Sequence, residues 1–183
     1  MPDTSWSNAM GYYTPDFGGL SGRFVYALGE ASDSNASNNA VAMLYLDKGP
    51  LTASVAFQRT RTGPAITKAS WAQSVLAAGV AYDISVAKLF LQYDGTRTSG
   101  VSLSTDTVQL GATIPMLSGK FMLSVVQTSI RAANQPDIRR RDAGIGYLYA
   151  FSRRTDAYAT SLYDKLSDRG SGFTTAIGLR HKF

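Results

Sequence analysis

The 183-residue sequence contains no cysteine, one histidine (His181) and one glutamate (Glu30), and only 17% of its side chains are charged. Without cysteine there is no disulfide framework, thiolate metal site or thiol nucleophile. A single histidine, third from the chain end, leaves little from which to build a His-paired metal site or a Ser-His-Asp triad. The near absence of glutamate, with only six lysines, argues against exposed helices, whose outer faces draw on straight-chain residues that lose little rotamer freedom. The longest apolar or glycine run, Val75 to Tyr82, is about eight residues, less than half a membrane-spanning helix. The opening residues Met1 to Trp6 carry neither a basic segment nor an apolar one, so no signal peptide is expected within this sequence.

What is present is aromatic, hydroxylic and basic. Ten Tyr, eight Phe and two Trp carry too much apolar area for a disordered chain. Twelve Arg and six Lys against twelve Asp and one Glu give a net charge of +5, which favours an anionic partner without naming one.

Hydrophobic periodicity is close to two almost throughout. Phe24, Tyr26 and Leu28 alternate with Arg23, Val25 and Ala27, and Val108, Leu110, Ala112 and Ile114 with Thr107, Gln109, Gly111 and Thr113. The pattern predicts eleven strands over 5–14, 20–30, 38–47, 50–60, 71–83, 86–96, 104–115, 119–131, 139–151, 156–166 and 172–183. Tight connections (15–19, 48–49, 84–85, 116–118, 152–155) alternate with longer polar ones (31–37, 61–70, 97–103, 132–138).

A soluble sandwich also has strands and turns, but three features favour an all-β transmembrane up-and-down barrel. The strands run to about ten residues or more against about five or six in globular sheets. Loop lengths alternate in register, and Tyr and Phe gather near strand ends where an aromatic girdle would sit. An odd strand count would leave the chain starting on one side of the membrane and ending on the other.

The terminal Gly178-Leu179-Arg180-His181-Lys182-Phe183 ends a period-two strand in an aromatic residue. With Tyr12-Tyr13-Thr14-Pro15-Asp16-Phe17-Gly18-Gly19-Leu20-Ser21-Gly22, Gly49-Pro50-Leu51 and Ser152 to Tyr158, this resembles the Gram-negative general porins of the beta-proteobacterial trimeric type. The resemblance implies a sixteen-stranded barrel in the outer membrane, assembled as a homotrimer among lipid and lipopolysaccharide, passing small solutes by passive diffusion with neither catalysis nor cofactor. Residues 1–183 would be one region, the C-terminal eleven strands of that barrel. The inward-folded loop that narrows such pores has no counterpart, and Gly11 stands where a basic lumen residue is often found. Eleven strands alone would form either a reduced, strained barrel or a curved open sheet.

The face opposite the apolar residues carries the expected channel lining: Arg23, Lys88, Asp94, Lys120, Arg140, Asp142, Lys165, Arg180 and Lys182. Seven basic residues against two acidic ones predict a weak preference for anionic or neutral solutes, because low-dielectric walls focus their field on the pore. The resemblance further implies that Ile177, Leu179, His181 and Phe183 form the terminal signal read by the barrel-assembly machinery.

Other readings are weaker. Arg139-Arg140-Arg141 has no aromatic platform beside it and is not expected to bind nucleic acid; a solvated loop, lipopolysaccharide phosphates or pore-mouth charge suits it better. Asn35-Ala36-Ser37 formally matches a glycosylation acceptor, and Gly144-Ile145-Gly146 reads as a close-packed strand rather than a dinucleotide fingerprint. The competing functions are an outer-membrane protease or phospholipase barrel, for which His181 is badly placed, and a soluble lipocalin-like binding protein.

Overall fold

The computed structural model describes residues 6–29, 38–62 and 71–182. Eleven strands pair in chain order into one antiparallel sheet. They are β1 (Ala9–Tyr13), β2 (Leu20–Ala27), β3 (Asn39–Lys48), β4 (Leu51–Thr62), β5 (Trp71–Asp83) and β6 (Lys88–Thr98), then β7 (Leu103–Met116), β8 (Gly119–Arg131), β9 (Ile138–Ala150), β10 (Thr155–Leu166) and β11 (Ser171–His181).

Of the two arrangements expected for eleven strands, the sheet adopts the open one. Among the described residues β1 pairs with β2 alone and β11 with β10 alone, so these show no direct closure. The physical reason lies in strand direction. Both edge strands run toward the short-turn side, so joining them would force a parallel seam into an antiparallel wall.

Turn chemistry sets the register at one end. Lys48 pairs with Leu51 across Gly49 and Pro50, and Gly49 takes φ 59°. Positive φ at the first central position followed by a ring-restricted proline is the residue pattern of a II′ hairpin, whose twist matches that of the strands. Short connections on this side, such as 49–50 and 117–118, alternate with 28–38, 63–70 and 132–137 on the other. The alternation weakens at 99–102, because β6 and β7 extend to Thr98 and Leu103 and leave four residues where seven were expected. Asn35, Ala36, Ser37 and Phe183 lie outside the described residues.

The described residues build no ordinary core. Among the described residues the only buried hydrophobics are Ala27 and Ala87, while Leu110, Val125 and Ile145 are each about half exposed. A soluble β protein buries one face of its sheet against another layer. Among the described residues no second layer is present, and the apolar face is left to an external apolar solvent.

Candidate functional site

Because antiparallel partners point to the same side, the pairing register sorts every strand residue onto one of two faces. One row reads Leu91, Leu110, Val125, Ala143, Tyr163 and Phe173 across β6 to β11. This apolar face continues along β7 from Val108 to Met116. Eight rises of about 3.4 Å, tilted by about 40°, give a band roughly 21 Å tall, close to the ~25 Å of an outer-membrane wall. The opposite face carries Gln58, Gln92, Gln109, Thr107, Thr128, Ser124 and Thr160, a hydroxyl and amide surface. Gly144 and Gly146 belong to it and are tightly packed: an added Cβ would meet Ser124 Oγ at 3.2 Å and Thr160 Cγ2 at 3.1 Å.

The expected lining residues divide. Arg23, Lys88, Asp94, Lys120, Arg140, Asp142 and Arg180 lie on the polar face. Lys182 lies one residue past β11, its amide donating to the Arg154 carbonyl at 2.9 Å. Lys165 does not belong with them. It pairs with Arg141 and Ser171 two residues from Tyr163, which puts it on the apolar side of the wall at the loop end.

The register also adds four acids to the polar face: Asp47, Asp83, Asp156 and Asp164. The strand residues there are therefore five basic (Arg23, Lys88, Lys120, Arg140, Arg180) against six acidic (these four with Asp94 and Asp142), not seven against two. Sequence reading missed these acids because Asp47 and Asp83 sit at strand ends beside turns, and because β10 has an irregular pattern in which Tyr158 and Leu162 share the polar face with Asp156 and Asp164.

Two clusters organise these charges. Near the loop end Arg140 donates through Nε to Asp142 at 3.1 Å and through Nη2 to Asp164. Near the turn end Arg180 donates to Asp156 Oδ2 from Nη2 at 2.7 Å and from Nε at 3.1 Å. Lys88, Lys120 and Arg23 make no ion pair among the described residues; the Arg23 guanidinium lies 5.5 Å from the Tyr13 ring centre and Lys88 Nζ 5.9 Å from that of Phe90. Gly11 sits on the same face as Arg23, opposite Val25.

The terminal-signal residues Ile177, Leu179 and His181 all lie on the apolar face of β11, with Ile177 82% exposed. His181 Nδ1 shares a hydrogen bond with Thr155 Oγ1 at 2.9 Å. It therefore faces away from the polar-face carboxylates.

Residues 2–169 match the family model described as Gram-negative porin. The chain belongs to that family. This porin chain is 28% identical to outer membrane porin protein 32 of Delftia acidovorans over 185 residues, 96% of this chain and 50% of that protein. It superposes on the anion-selective porin from Comamonas acidovorans with a TM-score of 0.76 and 24% identity, covering 97% of this chain and 60% of the other. OmpT of Vibrio cholerae, folded in vitro, gives a TM-score of 0.72 at 15% identity, covering 94% and 63%. The porin chain thus spans about half the length of the curated relative it matches. Its sheet is an outer-membrane barrel wall, whose apolar face meets lipid and whose polar face meets the lumen.

Proposed function

We propose that this wall forms part of a water-filled channel through which small hydrophilic solutes diffuse passively, without catalysis or cofactor, and with a weak preference for anions. The observation that carries the reading is the segregation of the two faces: amides, hydroxyls and paired charges on one, a continuous apolar band on the other. Water fills such a lumen because amides, hydroxyls and charges recur on every strand from β2 to β11, with mostly small or aliphatic residues between them.

Selectivity is weak because the wall is nearly neutral. Its positive contribution comes from the turn-side mouth, where Arg23, Lys88, Lys120 and Arg180 face Asp47, Asp83 and Asp156, with Lys182 just beyond. An enzymatic barrel fits poorly, since its one imidazole points to the lipid side.

An odd number of further strands would close the sheet with antiparallel seams at both edges. Five would give the sixteen expected from the resemblance, so the chain reads as the C-terminal portion of a larger barrel. By the same resemblance we assign it a homotrimeric assembly among lipopolysaccharide and give Phe183 a role in recognition by the assembly machinery. A Phe183→Asp chain failing to insert into the outer membrane is the check on that role, and normal insertion would remove it.

Planar-bilayer recordings of the assembled protein across a KCl gradient test the channel. A small reversal potential of anion-preferring sign is expected, moving toward zero in Lys88→Gln/Lys120→Gln. A cation preference would overturn the selectivity, and silence would overturn the channel.

A further inference from the structure

The lumen face carries one concentrated apolar patch. Toward the short-turn ends of β6 to β10, Phe90, Met122, Leu148, Tyr158 and Leu162 all project from it within three neighbouring rows of the register. The register reads Tyr158, Leu148 and Lys120 in the first row, Thr160, Gly146, Met122, Thr113 and Lys88 in the second, and Leu162, Gly144, Ser124, Gly111 and Phe90 in the third. Phe90, Tyr158 and Leu162 stay 38%, 38% and 42% exposed. A wall that only had to stay wet would gain nothing from holding these side chains against water.

Between them the wall is hollowed. A groove of about 380 Å³ runs along β9, lined on the lumen side chiefly by Met122, Ser124, Gly144, Gly146, Thr160 and Leu162. Two strand spacings, about 9.6 Å, separate its sides on β8 and β10. The two glycines keep its floor low, with the thioether of Met122 on one side, the methyls of Leu162 on the other and hydroxyls at the edges. Its volume lies in the range of small-molecule sites, and its shape and lining suit a flat apolar ring better than a hydrated inorganic ion.

Two ammonium groups border this patch. Lys120, two residues from Met122, stands between Pro115 and Leu148 with no acid opposite it and makes no ion pair. Lys88 stands between Asp83 and Thr113, but the Asp83 carboxylate accepts from the Ser85 amide at 2.8 Å, and Lys88 Nζ lies 5.9 Å from the Phe90 ring centre. On the other flank Asp156 is held by Arg180 at 2.7 Å. An apolar hollow beside cations that lack ion-pair partners matches an amphipathic anion: the charge alone serves any anion, and the hollow adds contact only for one with an apolar body.

We infer that Lys120 and Lys88, with the groove beside them, form a resting site for small organic monoanions with an aromatic body, the anionic group at the lysines and the ring against Met122, Gly146 and Leu148. The inference rests on the channel reading and adds a solute class to it.

The test places the assembled protein in planar phosphatidylcholine bilayers in KCl at neutral pH and follows chloride conductance as one of three probes is added to both sides: benzenesulfonate, methanesulfonate or the neutral benzenesulfonamide. Benzenesulfonate should lower the conductance along a saturable curve, with its half-effect at a concentration about tenfold or more below that of methanesulfonate, and benzenesulfonamide should be as weak as methanesulfonate. Met122→Thr removes apolar contact and no charge, so it should reduce the preference for benzenesulfonate about threefold. Lys120→Gln should weaken both sulfonates about threefold, whereas Arg153→Gln/Arg154→Gln in the turn after β9 should behave like the parent. If Met122→Thr does not assemble, Met122→Gln reads the same loss. Equal half-effects for the two sulfonates, a benzenesulfonamide effect as strong as that of benzenesulfonate, or an unchanged response in the Met122 and Lys120 variants overturns the site. A parent that conducts but shows no such preference refutes only this site, whereas a silent parent refutes the channel.

Discussion

The two rims of the apolar face are built from opposite chemistry. Toward the short turns it ends in aromatics, with Tyr82, Phe121, Tyr147 and Tyr149 near the strand ends and Phe151 in the turn that follows; Lys48 is its one charged strand residue there. Phe121 and Tyr147 stack with ring centres 4.9 Å apart, and Tyr149 meets Phe151 edge-on at 5.0 Å. Toward the loops the same face ends in seven basic side chains and Asp106. Tyr and Phe present an apolar body and, in Tyr, one polar tip, which suits a boundary where lipid gives way to water. Arginines with no acid opposite them suit a boundary populated by anions. A symmetric bilayer would ask for similar rims; this difference fits a wall whose two sides face different surroundings.

The largest effect expected from disturbing this contrast comes from moving a loop-rim charge down into the band. Leu123 stands mid-band on the apolar face of β8, paired with Ala112, and Gln127 lies four residues nearer the loop rim, in the row of Val108 and Arg141. Leu123→Arg should cost about 2–4 kcal/mol of folding free energy in a bilayer, whereas Gln127→Arg should cost no more than about 1 kcal/mol. Urea unfolding from lipid vesicles measures both. Equal costs would mean that the apolar boundary does not fall between these two rows, and the loop rim would then lose its meaning as a headgroup-level surface.

How much of this was legible beforehand depends on which property of a residue was being read. Period two is a local property, so eleven strands could be read from side-chain alternation, and the 71–83 and 119–131 boundaries agree with β5 and β8. The turn at Gly49-Pro50 was equally local, since both residues constrain φ by themselves. Face assignment near strand ends was not. Lys165 follows Asp164 in a segment, Tyr158 to Leu166, where apolar side chains fall on both faces, so only pairing with Arg141 and Ser171 reveals its side. The same holds for Asp47 and Asp83, the last residues of the predicted strands 38–47 and 71–83, whose partners Thr52 and Lys88 fix them on the lumen face. Charge count therefore pointed to a positive lumen, while the register moves Lys165 to the outside and adds Asp47, Asp83, Asp156 and Asp164 within. Partnership across strands, which decides the face each charge takes, is a non-local property that alternation within one strand cannot express.

The smallest effect lies at the turn rim, where two hairpins solve one backbone problem differently. Gly49 takes φ 59° at no steric cost, but Leu117, at the equivalent position between Met116 and Gly119, takes φ 55° with a side chain 93% exposed. A left-handed leucine costs about 1–2 kcal/mol relative to a residue free to adopt that conformation, partly offset by the greater chain entropy glycine loses on folding. Leu117→Gly should therefore stabilise the wall by about 1 kcal/mol in urea unfolding if the turn hangs in water beyond the aromatic rim. Burying a leucine in lipid is worth about 1.5–3 kcal/mol, enough to reverse that sign. A destabilised variant would show that Leu117 reaches back into the membrane, so that the turn rim is anchored by an aliphatic side chain as well as by its aromatics, and the lower boundary of the band would move outward by one turn.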